Sequence, residues 1–184
     1  KADVHFLLDN SGSAQNDLDT ISDGVTGFFD AVENQSANRI DLAASVSAFG
    51  GVKTNTSRVV QKVTTASNVV EEKVREVRDD PEDGFDEDGY TALRNVLNGD
   101  AGRRSGADQI PILVSDEIGP NVINDQAVIE KLQNRVKQEA AGFIGIGTTK
   151  FSSNNPPDIK LPAFTNNVIN DIDGAFFECP NLTT

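Results

Sequence analysis

Asp9, Ser11 and Ser13 occupy alternate positions in the run Asp9-Asn10-Ser11-Gly12-Ser13, directly after the apolar stretch Val4 to Leu8. A carboxylate and two hydroxyls at this spacing, in a glycine-containing turn, can aim hard oxygen donors at one point. That is the chemistry of a divalent cation that takes only oxygen ligands. Two further segments bring oxygen donors in comparable settings. Gly89-Tyr90-Thr91-Ala92-Leu93 sets the Thr91 hydroxyl at the opening of an expected helix, and Asp116 follows the apolar stretch Gln109 to Ser115. A purely structural use of the first segment exists, since short polar residues of this kind form Asx-type turns and cap helices. It accounts for Asp9, Ser11 and Ser13 but leaves Thr91 and Asp116 unexplained.

For these donors to meet, the chain must bring several strand ends to one place, and its hydrophobic pattern predicts such a frame. Strand-length apolar runs alternate with helix-period segments almost from end to end. This predicts an α/β fold, doubly wound and Rossmann-like, with a mostly parallel central sheet of about six strands and helices on both faces. Strands are expected at Val4–Leu8, Ile40–Phe49, Arg58–Val63, Gln109–Ser115, Gly142–Gly147 and Gly174–Phe177. Pro111 falls near the start of its strand, where a missing N–H is best tolerated. The Gly50-Gly51 turn region joins the second and third strands as a hairpin, giving one antiparallel edge strand.

Helices are expected at Asp17–Val32, Asn68–Val77, Tyr90–Leu97, Asp125–Gln138 and Phe164–Ile172, with Asn16 or Asp17 capping the first. In the strand order 3-2-1-4-5-6, the strands ending at Leu8 and Ser115 are neighbours. Asp9 and Asp116 then face one crevice at the carboxyl ends of the strands, where ligands of such sheets collect.

A length of 184 residues suits one domain, 1–184, with a full core. No apolar run approaches the roughly 18 residues of a membrane span, which predicts no membrane insertion. The net charge of −13 repels phosphate backbones, so nucleic acid is not an expected partner. Acidity on this scale serves solubility as readily as it serves cation binding. The chain contains no Met, even at position 1, and is therefore expected to be processed or part of a larger protein. Its single cysteine, Cys179, cannot form an internal disulfide.

The residues give no support to catalysis. The only histidine, His5, lies within the first strand rather than at a strand end, which argues against a Ser-His-Asp arrangement with Ser11. Zinc-type Cys/His spacing and nucleotide-phosphate loops are absent from the sequence. A metal-dependent phosphohydrolase would need Lys or Arg beside the carboxylates, and the motif segments hold neither.

Asp9, Ser11 and Ser13, then Thr91, then Asp116, in this order and spacing, resemble the metal-ion-dependent adhesion site (MIDAS) of the von Willebrand factor type A family. The resemblance spans Asp3 to Phe177. It implies a divalent cation, Mg²⁺ or else Mn²⁺ or Ca²⁺, held by the hydroxyls of Ser11, Ser13 and Thr91, with Asp9 and Asp116 direct or through water. Hydroxyl ligands are neutral, so the ion keeps an open position that a Glu or Asp of a partner protein completes. A cation at the contact also reverses the local sign of an acidic surface. Asn10 and Tyr90 would flank the ion as a ligand-binding rim.

Two departures stand out. Glu117 follows Asp116 where the family usually has Gly, and its carboxylate can reach a water beside the ion or the ion itself. The family's long C-terminal helix has no counterpart in Cys179–Thr184. The acidic run Asp79–Asp88, with seven carboxylates in ten positions, is either a solvated loop or, through Asp86 and Asp88, a second Ca²⁺ site. The function implied is metal-dependent protein binding, an adhesion module outside the cell or on its surface. Two alternatives are a self-assembling matrix or filament module whose partner is another copy, and an intracellular subunit of an ATPase or chelatase-type assembly.

Overall fold

Strand β1 (Ala2–Asp9) is buried at every position, which is why it reads as an apolar run: a parallel strand covered on both faces must be hydrophobic on both. The computed structural model describes residues 1–12, 14–36, 39–50, 57–81, 88–115, 126–147 and 161–178. After β1 come α1 (Gln15–Gln35), β2 (Leu42–Phe49), β3 (Arg58–Thr64), α2 (Ser67–Asp79), α3 (Gly89–Leu97), β4 (Asp108–Ser115), α4 (Gln126–Glu139), β5 (Gly142–Gly147), α5 (Leu161–Ile169) and β6 (Asp173–Glu178).

The sheet runs β3-β2-β1-β4-β5-β6, with β3 antiparallel to β2 and every other pairing parallel. Val4, Phe6 and Leu8 of β1 pack beneath α1 and α2 with Leu18, Phe29, Val70 and Val74. Leu7, pointing the other way, joins Leu93, Val136 and Phe164 beneath α3, α4 and α5. The expected architecture and strand order are the observed ones. Among the described residues, no helix is long and apolar enough to cross a membrane.

Several boundaries differ from expectation. α1 begins at Gln15 with Ala14 at the cap position and no side-chain cap bond, so Asn16 and Asp17 are not caps but lie in the first turn. The chain already turns at Ser11, whose carbonyl accepts from the Ala14 N–H at 3.2 Å, and this starts the helix early. β2 starts at Leu42 rather than Ile40. α5 starts at Leu161, since Pro162 falls in the first turn, where an N–H would have no intrahelical partner. Asp79 belongs to α2 and not to a loop.

The face of β1 that carries Leu7 also carries a buried polar column. Gln109 donates its amide N–H groups to the Ala107 carbonyl at 2.9 Å and to Asp3 at 3.3 Å, leaving its oxygen to accept from His5 Nε2 at 2.8 Å. His5 Nδ1 must then accept from the Ser45 hydroxyl, 2.7 Å away, so the neutral ring has a defined tautomer. Burial holds the His5 pKa below its ordinary value, against the opposing pull of Gln109 and Asp3.

A histidine that protonates more readily unfolded than folded costs stability as pH falls below the unfolded value of about 6.5. The urea midpoint is therefore expected to drop between pH 7 and pH 5, with this residue supplying at most about 1.4 kcal/mol per pH unit. His5→Gln should flatten that slope. An equal slope in the variant, measured by urea unfolding at both pH values, would contradict this.

Candidate metal centre

Asp9 closes β1 at the carboxyl end of the sheet, in register with Phe49 of β2 and beside Ser115, the last residue of β4. Its carboxylate is fully buried. Oδ1 accepts the Ser11 N–H at 2.9 Å, which is the Asx turn that short polar residues favour, and Oδ2 accepts the Ser115 hydroxyl at 2.8 Å. The Asn10 N–H donates to the Phe49 carbonyl at 2.8 Å. In the orientation that satisfies both its polar atoms, the Asn10 amide donates to the carbonyls of Phe49 and Gly50 at 2.9 and 2.8 Å.

Gly50 has φ +116°, and a Cβ there would stand 3.1 Å from Asp9 Oδ1 and 3.2 Å from the Ser11 nitrogen. Only glycine lets the end of β2 wrap the Asp9–Ser11 turn this closely.

The second half of the site is the start of α3. Asp88 is its N-cap: Oδ1 accepts the Thr91 N–H at 2.8 Å, and the other carboxylate oxygen accepts the Thr91 hydroxyl. Arg94 Nη2 donates to Thr91 Oγ1 at 3.3 Å. With its proton committed to Asp88 and one lone pair to Arg94, the Thr91 oxygen retains one further acceptor position. Gly89 anchors this turn to the same end of the sheet, since a Cβ there would meet the Phe49 ring at 3.2 Å and Leu113 Cδ1 at 3.3 Å.

Of the residues singled out from the sequence, Asp9 and Ser11 are joined directly, and Thr91 lies at the same sheet end. Ser13, Asp86, Asp116 and Glu117 lie outside the described residues. Asn10 requires correction as a rim residue, and Tyr90 is buried rather than projecting beside the ion. Asn10 is 1% exposed, its amide spent on backbone carbonyls, and Tyr90 is 3% exposed, its ring packed 5.2 Å from that of Phe164. Asp88 is likewise no member of a solvated loop, because helix capping buries it.

Ser115, Gly50 and Arg94 were not singled out beforehand. Ser115 follows from the strand register: with Leu8 opposite Val114 in parallel pairing, the next residue of β4 is the one beside Asp9.

A buried carboxylate with buried hydroxyls, and oxygen donors throughout, fits a hard divalent cation better than a soft one. Among the described residues, no cluster of three or more His, Cys, Asp or Glu side chains could hold a metal ion.

The sequence profile of the von Willebrand factor type A domain matches residues 3–180. No curated protein matches the chain. Among solved structures, proximal thread matrix protein 1 from the mussel byssus is 16% identical over 95% of this chain and 42% of its own, with a TM-score of 0.64. The same mussel protein with a zinc-occupied MIDAS motif is 17% identical over 96% of this chain and 44% of its own, at 0.64. The PilB minor pilin of Streptococcus sanguinis, as its D319A mutant, is 10% identical over 99% of this chain and 58% of its own, also at 0.64. The chain therefore spans roughly half the length of the proteins it resembles, and at these identities the likeness is one of fold.

Proposed function

Since this chain belongs to the von Willebrand factor type A domain family, we propose that the crevice at the carboxyl end of its sheet holds a divalent cation and binds a carboxylate of a partner protein through it. The observation that carries this reading is the Asp9 carboxylate, fixed by the Ser11 N–H and the Ser115 hydroxyl, at the same sheet end as a Thr91 hydroxyl whose proton Asp88 holds. Asp9, Ser11 and Thr91, with Ser13 and Asp116 from the sequence motif, would hold the ion. A bound cation supplies a Lewis-acidic position open to a partner's Glu or Asp.

The remaining work falls to the chain itself. Asp88 orients the Thr91 hydroxyl so that an oxygen lone pair, rather than a proton, is available. Gly50 and Asn10 keep the Asp9 turn closed, and burial of Asp9 and Ser11 excludes competing water from their inner sides. The zinc-occupied motif of the mussel protein supports a divalent ion, and the oxygen donors favour Mg²⁺, Mn²⁺ or Ca²⁺ here.

Binding rather than catalysis is the role proposed. His5 sits four residues from Asp9 along β1, about 13 Å away, with both ring nitrogens engaged. A position outside the cell is supported by the likeness to a byssal matrix protein and a pilin. The same likeness favours a second reading, in which the carboxylate belongs to another copy of this chain.

Calorimetric titration of Mg²⁺ and Mn²⁺ into the chain and into Ser11→Ala tests the first reading. One saturable site is expected, weakened at least about tenfold in the variant with the urea midpoint unchanged. Absence of heat, or equal affinity in Ser11→Ala, rejects it. Size-exclusion chromatography in Mg²⁺ and then in EDTA separates the two partners, because only self-assembly changes the mass of the purified chain alone.

A further inference from the structure

A cleft of about 240 Å³ opens between α3 and α4, beginning beside Thr91. Its floor is apolar: Tyr90, Ile129 and Leu132 are buried there, and Val128 stands 42% exposed at the mouth. Its walls are cationic, formed by Arg94, Lys131 and Arg135, and among the described residues no carboxylate lines it. In a chain with 29 acidic and 16 basic residues this is a local inversion of charge. Arg135 is neutralised by Glu139 at 2.8 Å, but among the described residues neither Arg94 nor Lys131 has a carboxylate partner. Arg94 links the cleft to the metal centre through its bond to Thr91 Oγ1 at 3.3 Å.

We propose that this cleft is the specificity subsite of the partner-binding surface, seating an acidic, amphipathic peptide segment of the partner protein. The inference rests on the metal-dependent reading of the site at the cleft's upper end. A bulky apolar side chain of that segment packs on Tyr90, Ile129 and Leu132. A second carboxylate, beyond the one that seeks the ion, meets Arg94 and Lys131.

The volume is below the range of about 300–1,000 Å³ typical of sites that enclose a whole small molecule, and suits one or two side chains of a bound chain. Charge complementarity selects the partner's sign. A net charge of −13 repels polyanions at long range, so the positive walls act on a carboxylate already brought close by other contacts. Together the two subsites set a spacing between carboxylates that a metal site alone would not impose, which is how a partner is distinguished from any exposed Glu or Asp.

The test is selection of a displayed random heptapeptide library on the whole chain in Mg²⁺, with affinities of the enriched peptides then measured by fluorescence polarisation. Enriched peptides are expected to carry two acidic residues and a Leu, Ile or Phe. Lys131→Glu and, independently, Val128→Glu should each weaken their binding at least tenfold. Both positions are exposed, so neither the urea midpoint nor the Mg²⁺ affinity is expected to fall.

Failure to enrich any sequence, enrichment of basic or purely apolar sequences, or binding indifferent to both substitutions would overturn the proposal. So would a dimer of the chain alone that Lys131→Glu dissolves, which would assign the cleft to a second copy. Peptide binding that EDTA abolishes but the two substitutions leave untouched removes the cleft and keeps the metal site. Binding that the substitutions abolish but EDTA and Ser11→Ala leave untouched keeps the cleft and removes the metal reading.

Discussion

Arg104→Met is expected to destabilise the fold by about 3–5 kcal/mol at pH 7, the cost of leaving a buried charge without its partner. Asp3 is fully buried in β1, and Arg104 satisfies it twice, through Nε to Oδ1 at 2.6 Å and through its backbone N–H to Oδ2 at 2.7 Å. The same guanidinium bonds the Asp41 carboxylate at 2.6 Å and the carbonyls of Ala2 and Asp41 at 2.8 and 2.7 Å. One side chain thus ties the start of β1 to the approach to β2 and to the segment before β4.

Burial pushes the Asp3 carboxyl up, but the hydrogen bonds from Arg104 and Gln109 and the charge of Arg104 outweigh it and hold the group below its usual range. A folded pKa below the unfolded one contributes stability above about pH 3.9 that disappears as pH falls through the folded value. Methionine keeps most of the side-chain bulk and the backbone N–H bond to Asp3 Oδ2, but removes the Nε bond to Oδ1 and the guanidinium charge, so the Asp3 pKa should rise. The deficit in the variant should then be largest at neutral pH and shrink toward pH 4, where Asp3 protonates. Adding Asp3→Asn to Arg104→Met should recover part of the loss. Urea unfolding at pH 7 and pH 4 measures both effects, and a deficit under about 1 kcal/mol at pH 7 would show that the pair is not carrying the energy assigned to it.

The strand order was legible because β1, β2, β4 and β5 are covered on both sides and read as near-continuous apolar runs, while the Gly50-Gly51 turn announced the antiparallel edge. Side-chain direction was not legible in the same way. Asn10 and Tyr90 are polar or amphipathic neighbours of the site, yet local hydrogen bonding turns one onto the backbone and aromatic packing turns the other into the core.

Asp88 was hidden by its company. Seven acidic residues in ten suggest a solvated stretch, whereas a cap is defined by the residue three positions on, and Asp88-x-x-Thr91 has that spacing. The cap of α1 was misread for the opposite reason. Asn16 and Asp17 are strong cappers by type, but the Ser11 turn had already committed the backbone to helix. Ser115 needed the register of two strands more than 100 residues apart in sequence, which composition alone does not carry.

Asp9→Asn should weaken Mg²⁺ binding by at least about 100-fold while leaving the apo fold close to its original stability, and that separation makes it the sharper test of the metal centre. Asparagine retains an acceptor oxygen for the Ser11 N–H, now held at 2.9 Å by Oδ1. Its amide nitrogen would face the Ser115 hydroxyl, which today donates to Oδ2 at 2.8 Å but can rotate to accept instead. Both hydrogen bonds survive in a relabelled form, so what is lost is the negative charge. A metal site depends on that charge, whereas an Asx turn does not. The wild-type chain at a Mg²⁺ concentration 100 times its Kd should gain about 2.7 kcal/mol of stability by mass action, and Asp9→Asn should gain almost none. Thermal or urea unfolding of both proteins with and without Mg²⁺ gives the comparison directly. Equal stabilisation of the two would mean that Asp9 serves only to fold the turn and is not a ligand of the cation.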